Sequence, residues 1–219
     1  MTLFGFLRPE ARISDGHALR GFLDRRSAFM VQKSVFEYSR ARSGLLSSKL
    51  FKEPAFVAAA DEARWRNYPL CLEIHAVMAE HALRPHAGSE AEAVRRALCG
   101  TATAICATYP VPKGFDAGFW RLAAERIERR IVRSGLGGLR PVKDIPHEIA
   151  EEFFRNMPIH DDLRSFDFEL ITNNLRVNLC RAHDDLLATA DLPALSQAMI
   201  LLARDVVGPE AAPLRRSAE

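Results

Sequence analysis

No C-x-x-C pair occurs among the four cysteines, Cys71, Cys99, Cys106 and Cys180. That excludes a zinc ribbon and a thioredoxin-like redox motif. Each cysteine lies among apolar residues, which implies buried free thiols and a reducing compartment. An excess of one charge is missing too. Thirty Lys and Arg stand against 28 Asp and Glu, for a formal net charge of +2, so there is no electrostatic case for nucleic acid as a partner. No apolar run approaches the ~20 residues that span a bilayer. The start, Met1 to Pro9, lacks the basic residues, long apolar stretch and small-residue cleavage site of a signal peptide. A cytoplasmic protein without a transmembrane segment is therefore expected. Alternating apolar and polar runs bounded by turn residues are absent, as are repeats of fixed period, so neither strands nor a solenoid are expected.

What is present is helical periodicity along almost the whole chain. The 219 residues are 48% hydrophobic and 26% charged, enough for one domain with its own core and no need of a disulfide or metal. The expected fold class is all-α, a helical bundle of six to seven helices with two long ones, the first and one starting near Asp161. The domain reading is an N-terminal arm (1–13), one helical domain (14–207) with an internal linker at 135–144, and a frayed tail (208–219). Leu3, Phe4, Phe6 and Leu7 suit an arm packed on the protein's own core, or a peripheral membrane contact.

Individual boundaries follow from caps and breakers. Ser14 suits the N-cap of a first helix reaching about Ser43. A second stretch, Pro54 to Leu83, carries Pro69, which predicts a kink or split. Ser89 and Glu92 have capping-box spacing before a helix rich in Ala and Gly. Its small side chains suit a central position. Asp116 to Ser134 reads as an arginine-bearing helix, with Arg121, Arg126, Arg129, Arg130 and Arg133 on a solvated face, and Gly135 as its cap. Asp161 or Asp162 suits the start of a helix to about Thr189, and Asp191 the cap of a last helix from Leu192 to Val207.

Three polar residues interrupt apolar stripes. Glu37 follows Leu23 and Met30 at seven-residue steps, His81 extends Ile74 and Val77, and His183 lies between Leu179 and Leu186. Burying such groups is costly unless they are paired, so a shared interior site of Glu37, His81 and His183 is one expectation. Glu73, His81 and His183 are the weak metal candidates. Against them, His75 and His81 are six residues apart rather than at the i, i+4 spacing of H-E-x-x-H, and Glu73 and Glu80 share a face but stand ~10 Å apart along the axis. Glu73 to His81 therefore reads as a helix with one wet face.

The His-Asp dipeptides at His160 and His183 resemble the metal-holding pair of helical metal-dependent phosphohydrolases over two residues. The apolar run before that pair and the glycine after it are missing. Gly135-Leu-Gly-Gly138 closes a helix instead of opening one after a strand, so it reads as cap and linker and not as a phosphate loop. No G-x-S-x-G nucleophile elbow exists. Trp65 and Trp120, each beside polar neighbours, suit an interface or the core equally.

Without a coherent catalytic motif, the expected function is non-enzymatic: a helical protein acting through protein contacts, with itself or another chain. A metal- or cofactor-dependent enzyme with an interior site is the first alternative. A carrier of a small apolar ligand is the second. The catalytic residues and the cofactor stay unassigned at this level.

Overall fold

The structure is a computed structural model that describes residues 12–207. The readings of the arm before Arg12 and the tail after Val207 lie outside these residues. The chain forms an all-α bundle, with seven continuous helical runs and no strand among the described residues. Two runs are long, 35 and 53 residues.

The first comprises α1 (Gly16–Val31), a π-helical turn (Gln32–Glu37), α2 (Tyr38–Ser43), a 3-10 turn and α3 (Ser47–Leu50). The second is α4 (Pro54–Ala87), a 3-10 turn (Gly88–Glu90) and α5 (Ala91–Cys106). Then come α6 (Phe119–Leu136), a 3-10 turn (Val142–Asp144), α7 (His147–Arg155), α8 (Asp161–Arg164), α9 (Phe168–Thr189) and α10 (Leu192–Val207). The second long run is thus the one holding α4, while the segment from Asp161 breaks after four residues and resumes at Phe168. No helix among the described residues is long and apolar enough to cross a membrane.

Local chemistry sets the ends. Asp15, one residue past the expected Ser14, caps α1 by accepting from the Ala18 N–H at 2.8 Å. Asp191 caps α10 as expected, accepting from Ala194 N–H at 3.2 Å. Pro54 begins α4, where its missing N–H costs nothing. The capping box does not form. Gly88, at φ 55°, turns the chain out of α4, α5 starts from Glu90 without a side-chain cap, and Glu92 binds Arg95 instead. α6 runs through Gly135 to Leu136, and a Cβ at Gly135 would meet the Arg95 side chain lying across it.

The centre of the bundle is α4, not the Ala-rich α5. It packs against α1, α5, α6, α7, α9 and α10, and every residue from Asn67 to Leu83 is buried. Leu70, Leu72, Ile74, Val77, Met78 and Leu83 all belong to the hydrophobic core. A helix apolar on all faces must sit in the core, and each large side chain buried there contributes about 1.5–3 kcal/mol. The helix runs unbroken through Pro69. The 135–144 segment is held to the bundle: the 3-10 turn packs on α9, and Ile145 is buried.

Candidate functional site

The wet face expected from Glu73 to His81 does not exist. Glu73, His75, Glu80 and His81 are all buried in α4, and each survives because neighbouring helices supply a partner. Glu80, 1% exposed, accepts two hydrogen bonds from Arg84, at 2.8 and 2.6 Å, with Arg95 of α5 3.8 Å away. Arg84 also donates to the Ser134 and Gly137 carbonyls, which satisfies acceptors left open at the end of α6. One turn-pair earlier, Glu73 accepts from Arg126 at 2.6 Å and lies 3.5 Å from Arg130.

Arg121, Arg129 and Arg133 of α6 lie on the expected solvated face, but Arg126 and Arg130 do not. Arg130 is buried and Arg126 half-buried, both turned toward α4. Arg126 also binds Glu152 at 2.7 Å. Glu148 of α7 is the common acceptor for Arg130, Arg133 and Arg140, the last two at 3.1 and 2.7 Å. The burial cost of each carboxylate is offset by charge-assisted bonds.

His81 lies at the rim of this network. Its Nε2 is 2.9 Å from Ser134 Oγ, and its Nδ1 finds no hydrogen-bond partner among the described residues. Burial, ahead of the opposing pull of Glu80, lowers its pKa. His75 is deeper. Its Nδ1 is 2.8 Å from the Cys71 carbonyl and 3.2 Å from Ser27 Oγ. The carbonyl can only accept, so the proton sits on Nδ1, and Nε2 has no partner. Burial brings its pKa down to about 4.

Glu37, His81 and His183 are not brought together. Glu37 is exposed and pairs with Lys33 at 3.3 Å. His183 is half-buried beside Asp184, at 3.8 Å. His81 faces α6, and Glu73 is taken by arginines. No group of three or more His, Cys, Asp or Glu among the described residues is arranged to hold a metal. The cysteines are all free, and burial pushes their thiols up, Cys99 and Cys106 to about 11, which leaves them poor nucleophiles.

One cluster was marked in the sequence only by its two tryptophans. Trp65, Tyr68, Tyr109 and Trp120 pack together with centroids 5.3 to 6.4 Å apart, all edge to face except the tilted pair of Tyr109 and Trp120. Asp24 of α1 accepts from both phenols, at 2.5 and 2.6 Å. Trp120 is buried and donates to the Pro110 carbonyl, so it packs the molecule's own interior, while Trp65 is half-buried against the core.

A second unanticipated feature is apolar exposure at one end. Leu45 is 101% and Phe166 94% exposed, with Leu46 and Leu163 also largely in solvent. The two turns that carry them are joined by Arg42, which donates to the Leu163 carbonyl at 2.8 Å and pairs with Asp167 at 3.2 Å. Tyr38 donates to the same Asp167 at 2.7 Å.

Set against family profiles, curated proteins and solved structures, the chain matches none. A functional reading therefore rests on geometry.

Proposed function

We propose that this chain is a non-enzymatic helical protein that acts through protein contacts, and that its partner at the exposed end is a second copy of itself. The observation that carries the reading is the pair of joined turns presenting Leu45, Leu46, Leu163 and Phe166 to solvent. Large apolar side chains grouped on a surface mark contact sites.

Charge favours self-association over a foreign partner. The segment 40–52 contains Arg40, Arg42, Lys49 and Lys52 and no acid. The facing segment 160–169 contains Asp161, Asp162, Asp167 and Glu169 against Arg164 alone. A two-fold interface sets the same patch against itself, so the basic turn of one copy meets the acidic turn of the other around a shared apolar centre.

Size-exclusion chromatography with light scattering tests this. The dimer is expected at tens of micromolar, and the Leu46→Glu/Phe166→Glu variant is expected to run as a folded monomer. A monomeric parent chain at that concentration overturns the reading.

A second reading has one specific support. A cavity of about 340 Å³ between α1, α5 and α10 is floored by Ala97, Gly100 and Ala104 and rimmed by His17, Arg20 and Arg96. That volume falls at the low end of small-molecule sites and favours the carrier of a small amphiphilic ligand.

A further inference from the structure

The end of α6 and the segment after it enclose a cavity of about 60 Å³. Its lining includes Arg130, Arg133 and Arg140, together with His81, Ser134 and Gly138. We propose that this cavity binds a small oxyanion of the phosphate class. The site uses none of the residues of the exposed apolar end.

Charge is the first argument. Three guanidinium groups converge here on one carboxylate, Glu148. Across the connected network, Arg126, Arg130, Arg133 and Arg140 face Glu73, Glu148 and Glu152, so among the described residues one positive charge has no countercharge. Each guanidinium carries five donors in a planar fork suited to oxyanions. Their convergence on Glu148 shows that their geometry already accommodates an oxygen acceptor.

The second argument is an unused buried donor. His81 and Arg130 are both more than nine-tenths buried on the cavity wall, and among the described residues His81 Nδ1 and Arg130 Nε have no hydrogen-bond partner. Arg130 Nε is turned toward Glu73, 3.5 Å away, so His81 supplies the free group. When Ser134 donates to Nε2, the ring proton sits on Nδ1 and awaits an acceptor. The Arg140 backbone lies near the ring without completing a hydrogen bond to Nδ1.

Size is the third argument. The cavity is several times the roughly 10–15 Å³ that seats one water and far below the roughly 300–1,000 Å³ of drug-sized ligand sites. It admits the anion itself and leaves any larger body outside. Gly137 and Gly138 thus line an anion site without forming a phosphate loop: arginine side chains take the place of a helix N-terminus.

The test is calorimetric titration of the full chain with inorganic phosphate, ionic strength held constant with chloride. Saturable binding at one site per chain is expected. Arg133 and Arg140 are mostly exposed, so Arg133→Gln/Arg140→Gln is expected to fold with an unchanged circular dichroism spectrum and to bind at least tenfold more weakly. Arg129→Gln, on the outer face of α6, removes an arginine elsewhere on the helix and is expected to bind as the parent does. Heat that rises linearly with phosphate, equal affinity in the double variant, or an equal loss in Arg129→Gln overturns the proposal. Glycerol phosphate distinguishes the source: tighter binding than inorganic phosphate assigns a phosphate group carried on a larger molecule, weaker binding the free ion, and both orders require the site.

Discussion

At the scale of single residues, the buried charges of α4 set the sharpest expectations. Glu80 is closed off from water between Arg84 and Arg95. Glu80→Ala takes from Arg84 the carboxylate it binds and from Arg95 a nearby countercharge, leaving Arg84 to the Ser134 and Gly137 carbonyls and Arg95 to Glu92, and breaking a buried pair from one side costs about 3–5 kcal/mol. A fall of that size in the urea unfolding free energy is expected, and a loss under about 1 kcal/mol would mean that Glu80 is solvated. His75 sets a pH dependence. Its folded pKa of about 4 lies below the ordinary 6.5, so the unfolded chain takes up the proton first as pH falls. Stability from the neutral ring is full above about pH 6.5, declines between 6.5 and 4, and amounts to about 3 kcal/mol by linkage. Burial of His81 acts in the same direction. Urea unfolding at pH 7 and pH 4.5 is expected to show His75→Leu losing less stability on acidification than the parent. Equal losses in both proteins would place the effect elsewhere.

At the scale of elements, α4 is the least accessible part of the chain. Its amides from Leu70 to Leu83 have neighbours on every side, and exchange in such a segment requires global unfolding. Hydrogen exchange read by mass spectrometry is expected to be slowest there and fast in the four-residue α3 and α8. Exchange in α4 as fast as in α3 would contradict its central position. Which segments are helical was legible in the sequence, because the 3.6-residue period, Pro54 and Asp191 are local signals. The position of α4 was not. Glu73, His75, Glu80 and His81 mimic a wet face when read alone, and the arginine that answers Glu73 is 53 residues away. The same distance hid the role of Arg126 and Arg130, which resemble a solvated stripe until α4 is laid against them. The break between α8 and α9 was hidden for a similar reason. Asp167 ends up held by Tyr38 and Arg42 of the first long run, partners that no local spacing announces. The expected site of Glu37, His81 and His183 required three helices to converge, and periodicity fixes a residue's face without fixing which helix that face meets.

At the scale of the whole molecule, the near-neutral net charge conceals segregation. Acid and base interleave in the α4–α6–α7 network, whereas at the exposed end the basic turn before Lys52 stands beside the acidic turn after His160. The first arrangement stabilises one chain, and the second suits the meeting of two. The proposed dimer therefore belongs to the molecule's overall charge pattern as much as to four apolar side chains, and the test variants add acids to the apolar centre so that both halves of the argument are probed together.

The central position of α4 has a consequence for how the protein is made. Its neighbours come from both directions along the chain, α1 before it and α5, α6, α7, α9 and α10 after it. On the ribosome, α4 emerges while most of the helices that will surround it have not been synthesised. Its apolar sides stay uncovered until the last helices follow, and Glu73 stays unpaired until α6 brings Arg126 and Arg130, whereas Glu80 has Arg84 within α4 itself. A nascent chain of this design is exposed to aggregation for most of its synthesis, and truncation at the C-terminal end strips cover from the middle of the core.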